Sequence, residues 1–159
     1  MTSKADFTEE EWGRVRRAPF VAGMAISLAD PGGPIELAKE SSASLKSATN
    51  PPSREQLLAD IALDIQAMAQ ERQNPLGDFK PTQGTDPRQQ IVAELAEVTA
   101  IVSAKATADE TAAFKQWLLT TAQAAADAAK EGGFLGFGAV QVSEGEQNML
   151  EQLRTALGA

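Results

Sequence analysis

The chain contains no cysteine, no histidine and no tyrosine. Without cysteine there can be no disulfide, no thiolate-bound zinc or iron–sulfur cluster and no thiol nucleophile. Without histidine the commonest general base and transition-metal ligand is missing. Ser-His-Asp catalysis and carboxylate–histidine di-iron bundles therefore cannot be built. Any catalysis would rest on Asp, Glu, Lys, Arg, Ser or Thr. Aromatic residues make up only 5% of the chain, so the core must be filled by aliphatic side chains and by Ala, which favours helix.

Positive charge is also scarce. The 14 Lys and Arg face 22 Asp and Glu, for a net charge of −8. That balance opposes non-specific binding to nucleic acid and adsorption to an anionic membrane. Long apolar runs are absent as well. The longest, from Ala18 to Ala29, is interrupted by Pro19 and Gly23 and falls short of the roughly 20 residues that a bilayer span requires. Arg14-Val15-Arg16-Arg17 imitates the basic start of a signal peptide, but Glu9-Glu10-Glu11 precedes it. We read the run as a buried central helix and the chain as cytoplasmic.

What is present is helical patterning. Thr8-Glu9-Glu10-Glu11, Thr107-Ala108-Asp109-Glu110 and Ser143-Glu144-Gly145-Glu146 each have the form of a capping box and predict three helix starts. Ser53 and Asp86-Pro87 predict two more. Pro34 opens a weaker helix with a loose stripe of Ile35, Ala38 and Leu45. Leu57, Leu58, Ile61, Ile65 and Met68 line one face of the third helix, and Ile91, Val92, Leu95, Val98, Ile101 and Val102 that of the fourth. Pro19 is expected to kink or split the first helix. No segment reads as a convincing strand. The expectation is a single all-α domain over residues 1–159, a bundle of about six helices. Residues 1–7 are expected to be disordered, and 74–86 to form a surface loop.

The least ordinary stretch is the crossover before the last helix. Residues 131–140 hold four glycines and two phenylalanines. A helix precedes them where a dinucleotide fingerprint needs a strand, and no Gly-Lys-Ser/Thr occurs, so neither nucleotide loop fits. Glu144 and Glu146 already place negative charge at the following helix start. Phe134 and Phe137 then either tuck into the core or meet a partner.

Two carboxylate pairs sit at helical spacing: Asp60 with Asp64, and Glu94 with Glu97. Should the third and fourth helices lie side by side, the four acids could converge on Mg²⁺ or Ca²⁺, as carboxylates do in all-α nucleotide pyrophosphohydrolases. The alternative is a solvated helix edge. Arg14, Arg16 and Arg17 beside Trp12 are expected to pair internally, Glu10 being one turn before Arg14.

Two junctions share a pattern. Ala29-Asp30-Pro31-Gly32-Gly33 and Lys130-Glu131-Gly132-Gly133 both end an apolar helix at an acid–Gly turn, and Ser143-x-x-Glu146 opens the next helix. This resembles the tellurite-resistance TerB-like domains, which are all-helical. The resemblance implies a link to metal stress and an acidic cation site, with Asp30, Glu131 and Glu146 as its residues. The chain departs from that pattern at Glu131, at Pro31 and Pro34, and in the insertion from Phe134 to Gln141.

The sequence thus points to a non-enzymatic cytoplasmic interaction or scaffold protein without a cofactor. A protein partner or a homodimer would engage Phe134 and Phe137, and neither nucleic acid nor membrane would be involved. The alternative is a divalent-metal-binding domain or metal-dependent hydrolase using the helix-borne carboxylates.

Overall fold

A computed structural model describes residues 1–30, 32–82, 84–130 and 142–159, with the side chains of all of these except Ala129 and Lys130. The described chain is all-helical. Its six helices are α1 (Glu9–Ala29), α2 (Pro34–Ala48), α3 (Gln56–Gln70), α4 (Pro87–Lys105), α5 (Ala108–Lys130) and α6 (Glu144–Leu157), and no strand occurs among the described residues.

The capping chemistry written in the sequence sets several of these starts. Glu11 N donates to Thr8 Oγ1 at 3.1 Å while Thr8 N donates back to Glu11 Oε2 at 2.8 Å. Thr107 with Glu110 and Ser143 with Glu146 repeat the exchange. Each box satisfies amides that the first helical turn would otherwise leave unpaired. Asp86 caps α4 through Arg88 N. Ser53 does not cap α3 directly; it accepts from Glu55 N, and Glu55 stands at the cap position. Gly158, at φ 66°, ends α6 in the left-handed region that glycine enters without a Cβ clash.

α1 and α5 are the central pair, and each touches all the other helices. Val15, Val21 and Ile26 of α1 and Phe114, Trp117 and Leu118 of α5 are fully buried. Burying one such aliphatic side chain stabilises the fold by about 1.5–3 kcal/mol. Pro19 does not split α1, which runs unbroken through it. The proline is buried with its neighbours Ala18 and Phe20, and packing on both sides outweighs the missing amide.

Residues 1–7 correct the expectation of disorder. Lys4–Asp6 forms a 3-10 turn. Thr2 is buried, donating from N at 2.8 Å and from Oγ1 at 2.6 Å to the Glu110 carboxylate. Phe7 joins the core 5.6 Å from the Trp12 ring. Glu110 therefore both caps α5 and anchors the start of the chain, a role its position in a capping box does not announce. The described residues of 74–86 carry turns and no helix, yet Leu76 and Phe79 pack against the core. The Arg17 guanidinium lies 5.2 Å from the centre of the Phe79 ring.

α2 corrects the largest misreading. Its expected stripe faces outward: Ile35 is 69% exposed and Leu45 37%. The face turned inward holds Glu40, Ser44 and Ala48. The reason is close approach. α2 packs most extensively on α5, where Trp117 Nε1 donates to Ser47 O at 2.9 Å and the Ser47 and Thr121 hydroxyls meet at 2.8 Å. On α1, a Cβ at Gly23 would overlap the Ser44 hydroxyl. At Ser44, opposite Gly23, only a small side chain fits between backbones this close.

Candidate functional site

Both carboxylate pairs are engaged by groups of the protein itself, and Asp64, Glu94 and Glu97 by its cations. Asp64 accepts from Lys4 Nζ at 2.9 Å and from Trp12 Nε1 at 2.7 Å, with Arg16 3.8 Å away. Asp60 accepts from Lys4 N and from Gln56 Nε2. Glu94 takes a two-pronged contact from Arg14, at 3.2 and 2.8 Å, and a third hydrogen bond from Arg17 at 2.9 Å. Glu97 Oε2 accepts at 2.5 Å from the same terminal nitrogen of Arg14 that meets Glu94 Oε2. Burial opposes ionisation of Glu94 and Asp64. The hydrogen bonds from Arg14 and Arg17, and from Lys4 and Trp12, outweigh it and hold both carboxyls below their ordinary range. Glu94 and Glu97 in turn hold Arg14 firmly protonated. Arg14 thus pairs across to α4 and not with Glu10. No group of three or more metal-ligating side chains assembles among the described residues. The acids tie α4 and α3 to α1 and to the N-terminal segment.

The residues marked by the TerB-like resemblance come only partly into view. Glu131 lies outside the described residues, as do Phe134 and Phe137. Asp30 caps the end of α1 and is exposed. Glu146 is buried inside its capping box, accepting from Ser143 N at 3.2 Å. Burial raises its carboxyl above the ordinary range, and the nearby charges of Asp30, Glu40 and Asp127 add to the rise. The acids therefore gather loosely at one pole of the bundle.

The feature that sequence reasoning missed is a cleft of about 530 Å³ between α1, α2 and the C-terminal end of α3. Phe20, Met24, Leu37, Leu45, Ile65 and Leu76 supply its apolar walls. Ser27, Ser41 and Ser44 bring hydroxyls, and Arg72 stands at the α3 side. Arg72 has a φ of 56°, a left-handed backbone that turns the chain sharply past α3. Gln73 N then returns to Met68 O at 2.9 Å, and the turn brings Asn74, Pro75 and Leu76 round as a wall.

Glu40 of α2 lines this cleft and is only 3% exposed. Its Oε2 accepts from the Ser27 hydroxyl, the one hydrogen bond its carboxylate receives among the described residues. Burial raises its carboxyl above the ordinary range despite that bond, and Asp30 and Glu36 raise it further. No Lys or Arg pairs with it among the described residues. The signal in the sequence was the i, i+4, i+8 row of Glu40, Ser44 and Ala48, whose small members mark a contact face.

No family model, curated protein or solved structure matches the chain. No described helix is long and apolar enough to cross a membrane.

Proposed function

We propose that this chain is a binding protein whose ligand is a small, largely apolar molecule held in the cleft between α1, α2 and α3. The observation that carries the reading is the cleft itself, apolar-walled with the buried Glu40 carboxyl set into it. Its volume falls within the roughly 300–1,000 Å³ of small-molecule sites, which are mostly apolar with a few placed polar groups. The outward Leu37 and Leu45 support it further, since large apolar side chains at a cleft mouth gain free energy when a ligand covers them. This reading departs from the expected interaction or scaffold protein engaging a partner through Phe134 and Phe137, which lie outside the described residues, and takes the cleft as the site instead.

The test is a fluorescence titration with Nile red, a neutral dye that brightens in apolar surroundings. Saturable one-to-one binding is expected for the wild type. The variant Ala69→Trp fills the cleft from α3, where Ala69 lines it and is exposed, and should reduce the affinity at least tenfold while the helical circular dichroism stays unchanged. Absence of saturable binding, or binding indifferent to Ala69→Trp, contradicts the reading.

A further inference from the structure

We propose that the cleft takes an amphiphilic amine, with its ammonium group on the Glu40 carboxylate and its hydrocarbon body along Phe20, Met24 and Leu37. The proposal rests on the cleft being a binding site and specifies what it binds.

Other buried or half-buried carboxylates of the protein have partners of their own. Glu94 meets two guanidiniums. Glu110 accepts from two amides and a hydroxyl. Glu146 accepts one amide, that of Ser143 in its own capping box, at the start of α6 where the helix dipole favours a carboxylate. Glu40 is as buried as Glu110 and Glu146, but among the described residues its carboxylate meets neither a cation nor a backbone amide, only the Ser27 hydroxyl. A buried carboxylate without a charged or multiply hydrogen-bonded partner is expensive to keep. An ammonium group entering the cleft would supply three donors and the missing charge.

The surroundings favour a cation over an anion or a neutral head. Asp30, Glu36 and Glu146 all place negative charge near Glu40. The cation lining the cleft is Arg72, on the α3 side of the opening and exposed. Ser41 and Ser44 offer hydroxyl oxygens that can accept from the remaining ammonium hydrogens. The apolar walls match a hydrocarbon chain and disfavour a polyamine, whose further charges would be stranded there.

Competition against bound Nile red tests this with three molecules that share a chain and differ in the head: decylamine, decanol and decanoate. Decylamine should displace the dye at a concentration about tenfold or more below decanol, the ratio that a charge-assisted hydrogen bond brings, with decanoate weakest. Glu40→Gln should remove the preference for decylamine over decanol, read as the ratio of their displacing concentrations. Equal displacement by decylamine and decanol overturns the proposal while leaving the cleft as a site. A preference that survives Glu40→Gln also overturns it, since the overall negative charge would then be the cause. Failure of Nile red to bind removes the cleft reading and this proposal together. Should Glu40→Gln not fold, the wild-type pH profile decides. The preference for decylamine should shrink as falling pH protonates Glu40, whereas a preference unchanged down to about pH 4 overturns the proposal.

Discussion

Gly23 of α1 and Ser44 of α2 meet so closely that any Cβ at position 23 would overlap the Ser44 hydroxyl. This contact fixes how near α2 can lie to α1, and so sets the depth of the cleft that both helices line. Gly23→Ala should gain about 1 kcal/mol of helix propensity and lose about 1–3 kcal/mol to overpacking, for a net destabilisation of about 1 kcal/mol. The loss should be smaller when measured in a Ser44→Ala background, because the overlapping oxygen is gone. Urea denaturation of the two single variants and the double variant measures the coupling. Strictly additive effects would show that the helices do not touch there.

Glu94 links α4 to α1 through Arg14 and Arg17. Glu94→Gln keeps the shape and removes the charge that two partly buried guanidiniums share. The expected destabilisation is about 1–3 kcal/mol at neutral pH. Glu94 titrates below its ordinary value when folded, so its contribution is present above the unfolded carboxylate range of about pH 4 and is lost as pH falls through the lowered value. Chemical denaturation of wild type and variant from neutral to acid pH should therefore converge at the acid end. A gap that stays constant with pH would contradict the ion-pair account.

Glu40 works in the opposite sense. Its carboxyl titrates above the ordinary value when folded, so the ionised form weakens the fold, and stability falls as pH rises through the unfolded value toward the raised one. Glu40→Gln should stabilise the ligand-free protein by about 1 kcal/mol at neutral pH, and the gain should vanish in acid. Thermal melts at two pH values read this directly. A variant less stable than wild type at neutral pH would mean that Glu40 already has a charged partner.

These contrasts show what could be read in the chain. Thr8, Asp86, Thr107 and Ser143 disclosed helix starts because capping is a local exchange over three residues or fewer. Leu57, Ile61 and Ile65 disclosed the buried face of α3 because large aliphatic side chains fill that face at helical spacing. α2 broke the pattern. Between close backbones its small and polar residues went inward, and Gly23, far away in sequence, was the cause. The Arg14–Glu94 pair likewise joins residues on two helices, and nothing in either one's spacing names the other. Thr2 looked like part of a frayed end because its partner, Glu110, lies on α5. The cleft is a product of all these placements together, which is why no motif marks it.

The most direct measurement is a nitrogen–proton correlation spectrum of the labelled protein, recorded during titration with decylamine. The account predicts that the amide signals which move first and furthest belong to Ser27, Glu40, Ser41, Ala69 and Leu76 around the cleft, with the signals of α4 and of the C-terminal half of α6 still. Shifts centred on Val92 and Gln152, at the α4–α6 surface, or no saturable shifts at all, would contradict it.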